Sequence, residues 1–237
     1  MVEHIVTTFD SDFSKLRSLL SQMGGMIETQ ITTAIEALTH SDDDRAQKVI
    51  SLDKDVDRLE QEAERFAIEM IALRSPVADD LREIISALKL TAIYERIGDC
   101  CRNIARRSIA LSQTSQTGPG VVLPEMGWLV HSMIKEALDA HAARDEKKAR
   151  AVWIRDKDID EFYNCLFRSL LTHMMENPRQ ITLSTHLLFI AKNFERIGDH
   201  ATSIAEMTYY NVTGKWIEEI RPKGHETNFS IIHDYKS

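Results

Sequence analysis

The sequence predicts an all-α chain of six helices, arranged as two tandem three-helix units. Two observations carry this expectation. Apolar residues recur at intervals of three and four over most of the chain, the period of amphipathic helices. A pentapeptide inside one such stretch, Glu95-Arg96-Ile97-Gly98-Asp99, also returns unchanged about 100 residues later as Glu195-Arg196-Ile197-Gly198-Asp199. A repeat of that length indicates duplication of a helical unit rather than a solenoid of short repeats.

In the first unit, residues 1–112, Phe13, Leu16, Leu20, Met23, Ile27, Ile31, Ile35 and Leu38 mark a helix from about Ser11 to Leu38, weakened only by Gly24-Gly25. The run His40 to Asp44 supplies turn and capping chemistry. Val49, Leu52, Val56, Leu59, Ala63, Phe66 and Met70 then carry a second helix to about Arg74. Ser75-Pro76 reads as an N-cap with proline in the first turn, which opens a third helix running to about Leu111. Residues 113–124 are polar, bear Gly and Pro and lack a period, so they form the expected linker. The second unit, residues 125–214, repeats the scheme: a helix from about Glu125 to Ala143, one from near Asp145 to Asn177-Pro178, and one from about Arg179 to Val212, ending at Gly214 as a C′ residue. Residues 215–237 read as an irregular tail.

The chain has 237 residues, 43% of them hydrophobic, enough for a sizeable core. With 29 basic against 37 acidic residues the net charge is −8, which lacks the basic footprint of a nucleic-acid binder and suits cations or basic partner surfaces. Uninterrupted apolar runs are only a few residues long, and Met1 to Asp10 lacks the regions of a secretory signal. The expected location is the cytoplasm, with membranes reached only through partners. Cys100, Cys101 and Cys165 lack CxxC spacing, which argues against a zinc ribbon or a disulfide framework and for core or core-edge thiols.

The chemistry concentrates in acidic pairs. Glu95 and Asp99, and Glu195 and Asp199, are four residues apart, which places each pair on one helix face. The second helix of each unit adds Asp53 and Asp57, or Asp156 and Asp160, at the same spacing. Helices two and three form a hairpin, so residues equally far from its turn lie side by side. Asp57 matches Glu95 and Asp53 matches Asp99 to within one residue about Ser75-Pro76. Asp160 matches Glu195 and Asp156 matches Asp199 about Asn177-Pro178.

At about 100° per residue, Glu95 and Asp99 lie opposite Tyr94, Ile97, Cys101 and Ile104. The acids are therefore expected to face solvent. A plain solvated face balanced by Arg96, Arg102, Arg106 and Arg196 accounts for any one pair, because exposed ion pairs specify little. Four pairs in register favour metal binding, and oxygen-only donors suit hard cations such as Mg²⁺, Mn²⁺, Ca²⁺ or iron. The ions expected are divalent or trivalent: Mg, Mn, Fe or Zn. Gly98 and Gly198 permit close approach, either of an ion or of the first helix.

A di-iron oxidase bundle would need Glu-x-x-His motifs, which are absent, and no phosphate-cradling or nucleophile-elbow motif occurs. The competing class is a metal-storage or metal-dependent carboxylate bundle.

The duplicated motif, in its settings Glu95 to Ala105 (ERIGDCCRNIA) and Asn193 to Glu206 (NFERIGDHATSIAE), together with Met23-Gly24, Pro76 and Asp80-Leu81-Arg82, resembles the PhoU family over nearly all of Phe9 to Val212. The resemblance implies two three-helix bundles related by a pseudo-twofold, metal-holding E(D)xxxD motifs, a homodimer and no catalysis. It also implies negative regulation of the phosphate-starvation response, through contacts with the phosphate ABC transporter ATPase PstB and the sensor histidine kinase PhoR. Carried onto this chain, the metal motifs are Asp53, Asp57, Glu95 and Asp99 in one unit and Asp156, Asp160, Glu195 and Asp199 in the other. Ser203 stands where the family pattern has Asn, matched here by Asn103, and Glu206 is a further donor available to the second unit.

Overall fold

Helix caps and proline positions set the boundaries of the rods. The computed structural model describes residues 2–112 and 119–219, with side chains from residue 9 onward. Helix α1 spans Val2–His40. It starts earlier than the apolar period suggests, and Phe9 meets Phe13 edge to face at 4.9 Å between ring centroids. It also runs unbroken through Gly24-Gly25, because Gly24 is buried against Leu138 of the other unit. Helix α2, Asp43–Arg74, starts on Asp42, whose carboxylate accepts the Arg45 N–H at 3.0 Å.

Ser75-Pro76 is not the entry to the next helix. Ser75 closes α2 in the left-handed region (φ 48°) with its N–H on the Ile71 carbonyl, and α3, Asp79–Leu111, begins three residues past Pro76. A residue before proline is disfavoured in the right-handed helical region, so the signal that reads as a start is the stop of the previous helix. Asp79 and Asp80 then place negative charge in the first turn of α3.

After a 3₁₀ turn at Pro119–Val122, α4 spans Leu123–Ala143. The expected fifth rod is broken at Arg155 into α5, Glu146–Ile154, and α6, Asp156–Glu176. Two i→i−3 hydrogen bonds, Arg155 N to the Val152 carbonyl and Asp158 N to the Arg155 carbonyl, tighten the chain there. The Arg155 guanidinium reaches both oxygens of Glu136 on α4 at 2.6 Å. A second 3₁₀ turn, Pro178–Gln180, leads into α7, Ile181–Thr213, which ends on Gly214 (φ 71°), as its position predicts. Residues 215–219 are not helical, and Trp216 stacks on Tyr210 at 4.4 Å. The remaining linker positions 113–118 and tail positions 220–237 lie outside the described residues.

The result is an all-α tandem of three-helix bundles, the second with one broken rod. Helix α2 packs on α1 and α3, and α4, α5 and α6 pack on α7. The two units join along α3 and α7, with α1 against α4. Gly127 makes the second contact close: a Cβ there would lie 2.8 Å from Ile35 Cγ1 and 2.9 Å from Phe194 Cζ, so only glycine allows α4 this near to α1 and α7. Across the same seam Glu83 of α3 accepts from Arg17 of α1 at 2.6 Å and from Arg144 after α4 at 2.9 Å. Burial disfavours the Glu83 charge, but the two guanidiniums together hold its carboxyl below the usual range. Beside them His141 is partly buried against Thr208, and desolvation pushes its pKa down to about 4. No helix among the described residues is long and apolar enough to cross a membrane.

Candidate metal centre

Hairpin geometry brings the acids of each unit together. In the first unit burial raises the pKa of Asp57, and the negative charges of Asp53 and Asp99 raise it further. Burial also raises Glu95, with Asp99, Glu60, Asp57 and Asp53 adding in that order. All four expected residues of this unit therefore share one electrostatic neighbourhood. Glu60, which the four-residue spacing does not select, joins them, its carboxyl raised by burial and then by Glu64 and Asp57. In the second unit burial raises Glu195, opposed by the Lys192 ammonium at 2.7 Å and reinforced by Asp199 and Asp160.

The expectation that these carboxylates all face solvent fails for one acid in each unit. Asp53 is 4% exposed and Asp156 2% exposed. Asp53 lies beneath Asp57, Glu95 and Asp99, which are partly exposed, and in the second unit Asp160, Glu195 and Asp199 are partly exposed as well. Gly98 explains the depth of the first: a Cβ there would sit 3.5 Å from Asp53 Oδ1 and 3.3 Å from Gln30 Oε1, so the missing side chain admits both α2 and α1. At Gly198 the near neighbour is Ile159 Cγ2, 3.2 Å from where a Cβ would be. Both glycines thus serve helix packing.

Two residues shape the first cluster beyond the predicted set. Arg102 bonds Asp53 through Nη1 and Asp99 through Nη2, the latter at 2.5 Å. Gln30 of α1 is fully buried, and neither its amide nitrogen nor its oxygen has a hydrogen-bond partner. Its position between Ile27 and Ile31 on a buried stripe was the available signal, because a polar residue there needs a partner from another element. In the second unit the further donors are already engaged. Glu206 accepts the Trp153 indole N–H at 2.8 Å, and the Ser203 hydroxyl bonds back to the Asp199 carbonyl at 3.0 Å.

The two pentapeptides also face one another. Arg96, Asp99, Cys100 and Asn103 of α3 and Arg196, Asp199 and His200 of α7 line a common cleft of about 280 Å³. Arg96, Asp99 and Cys100 correspond in the repeat to Arg196, Asp199 and His200, so equivalent positions of both units line it. Burial pushes the Cys100 thiol up to about 11 and lowers His200, so neither is a ready nucleophile or cation. Cys100 and Cys101 are buried as expected, but Cys165 is exposed, and all three are free thiols.

The donor set is all carboxylate oxygen, which fits a hard cation. Among the described residues no three or more His, Cys, Asp or Glu side chains converge into a preformed cage, so a metal would have to draw these carboxylates inward from their present rotamers.

A duplicated three-helix unit with acidic motifs on adjacent helices, joined back to back along its motif helices, defines a class of tandem helical-bundle proteins. The PhoU domain model matches this chain twice, at residues 20–108 and 123–208. The chain is 48% identical over 225 residues to the phosphate-specific transport system accessory protein PhoU homolog of Zymomonas mobilis, covering 95% of this chain and 94% of that one. It is 42% identical over 224 residues to the homolog of Caulobacter vibrioides, covering 94% and 97%. The crystal structure of PhoU from Pseudomonas aeruginosa superposes with a TM-score of 0.85 at 38% identity, covering 87% of this chain and 100% of that chain. That of the phosphate transport system regulatory protein PhoU from Streptococcus pneumoniae gives 0.82 at 26%, covering 89% and 100%. The chain belongs to the PhoU family.

Proposed function

We propose that this chain is a non-enzymatic negative regulator of phosphate uptake and of the phosphate-starvation regulon. It acts in the cytoplasm as an adaptor between the transporter ATPase PstB and the sensor kinase PhoR, and works as a homodimer. Its acid clusters, Asp53, Asp57, Glu95 and Asp99 in one unit and Asp156, Asp160, Glu195 and Asp199 in the other, hold divalent or trivalent metal. The single observation that carries the regulatory reading is the near-full-length match to relatives named as accessory proteins of the phosphate-specific transport system.

The geometry supports an adaptor in a second way. Both hairpin tips expose apolar side chains, Leu73, Val77 and Leu81 on one and Met175 and Ile181 on the other, surface that a partner protein would cover. Burial in the motif cleft raises the Cys100 thiol and lowers His200, which weakens the one as a nucleophile and the other as a cation. The metal's contribution is positive charge between carboxylates that otherwise repel one another. These residues position and desolvate that charge.

The test is a phosphate-starvation reporter in cells from which the gene is deleted. Expression is expected to become constitutive at high phosphate and to be repressed again when the gene is restored. Reporter output unchanged by the deletion at both high and low phosphate would overturn the regulatory reading.

A further inference from the structure

We propose that the seam between the two units holds a binding site for an aminopurine base, presented as a nucleoside or a nucleotide. The site is a cavity of about 410 Å³ where α1, α3, α4 and α7 meet, within the size range of small-molecule sites. Leu16, Leu20 and Ala87, all buried, and Leu138 give it apolar walls. None of the acid-cluster residues lines it, and a ligand in it would touch both units at once.

Three polar side chains line the cavity from protected positions. Asn211, near the end of α7, is 7% exposed, and its Oδ1 is buried without a hydrogen-bond partner among the described residues. A buried carbonyl oxygen left so is costly, and an N–H from a ligand would satisfy it. His141 supplies a second acceptor. The Thr208 hydroxyl donates to the Ile204 carbonyl at 2.8 Å, so the 3.3 Å contact between that hydroxyl and His141 Nδ1 assigns the ring proton to Nδ1 and leaves Nε2 bare. Tyr94, 1% exposed, is kept protonated by burial and offers an O–H.

This pattern selects the ligand. Two bare acceptors call for a group with two N–H bonds, an exocyclic amine, and the Tyr94 hydroxyl suits an unprotonated ring nitrogen. The apolar walls suit the faces of a flat ring. The desolvation that holds His141 neutral also disfavours an ammonium beside it, so the amine is one that stays uncharged, as on a purine. An inorganic anion fits poorly. Arg17 and Arg144 are already engaged by Glu83 at 2.6 and 2.9 Å, and Glu28 and Asp139 also line the cavity, so its carboxylates outnumber its guanidiniums.

Gly25 points to a ligand independently. It lines the cavity from the interior of α1, where glycine is the least favourable residue after proline. A Cβ there would nevertheless meet no atom within 4 Å. Packing requires Gly127, whose Cβ would strike Ile35, but it does not require Gly25. A ring lying across the bare backbone of α1 would.

The experiment is isothermal titration calorimetry of the full chain with adenosine and guanosine, with inosine as the control that lacks an exocyclic amine. The parent is expected to bind adenosine or guanosine at one site per chain, roughly tenfold or more tighter than inosine. AMP is titrated beside adenosine: the tighter of the two identifies the form bound, and either order supports the base site. Asn211→Leu is expected to weaken binding roughly tenfold or more while melting no lower than the parent, because it removes an unpaired buried polar group. Gly25→Leu is expected to fill the cavity, abolish binding and melt above the parent. No binding of adenosine or guanosine by the parent at millimolar concentration would overturn the proposal. So would inosine bound as tightly as both, or binding left unchanged by Asn211→Leu and Gly25→Leu.

Discussion

Phe194→Ala should destabilise the protein by about 3–5 kcal/mol, the loss typical of truncating a fully buried aromatic. Phe194 precedes the second pentapeptide on α7 and is 0% exposed. Its ring fills the space that Gly127 leaves beside Ile35, so it packs where α7, α4 and α1 meet. Truncation opens a cavity that three rigid rods cannot collapse to fill. For a chain of this size the change is roughly 10 °C in Tm, and it is a large share of a total stability of about 5–15 kcal/mol.

Phe189→Ala on the same helix supplies the comparison. That ring is half exposed with the Arg107 guanidinium over it at 4.1 Å, an arrangement worth about 1 kcal/mol. Urea unfolding of the two variants measures the difference directly. Equal destabilisation by both would mean that the seam between the units is not packed as described.

The second large effect is pH dependence at His141. Its folded pKa of about 4 lies below the ordinary value of 6.5, chiefly through burial, with Arg144 and Arg17 adding to the depression and Glu83 opposing it. A depressed base binds more protons unfolded than folded, so its contribution to stability is present above pH 6.5 and is lost as the pH falls toward 4. The full loss is about 3 kcal/mol, of which about 2 kcal/mol has gone by pH 5. Asp57, Glu60, Glu95 and Glu195 act in the opposite sense, because raised carboxyl pKa values favour the folded state as the pH falls. Their effect is common to parent and variant and cancels in the comparison. Unfolding free energies at pH 7 and pH 5 should therefore diverge by about 2 kcal/mol more in the parent than in His141→Asn. The same pH dependence in both proteins would show that the imidazole is not desolvated at the seam.

Much of this architecture is readable from residue spacing, because helix period and hairpin counting are local properties. The apolar repeat locates the rods, and equal distances from Ser75-Pro76 and Asn177-Pro178 select Asp53, Asp57, Glu95 and Asp99 in one unit and Asp160, Glu195 and Asp199 in the other, whose charges act on one another in the structure. What escapes is what depends on another element. The same Ser-Pro pair serves equally as a helix start or a helix stop, and only the left-handed Ser75 distinguishes them. The break at Arg155 is tied to Glu136 on α4, a contact invisible to the pattern of α5 and α6 themselves. The depth of Asp53 depends on α1 approaching over Gly98, so a wheel drawn for α3 alone places the whole cluster too far out. Gln30 was readable as a polar interruption of a buried stripe, but its meaning needs the acid beside it.

The central proposal is that acids from neighbouring helices meet in each unit and bind a cation there. Crystals grown with Mn²⁺ and measured on both sides of the manganese absorption edge test this most directly. Anomalous peaks are predicted among Asp53, Asp57, Glu95 and Asp99 and among Asp156, Asp160, Glu195 and Asp199. Manganese bound elsewhere, with those carboxylates apart and bare, would contradict it.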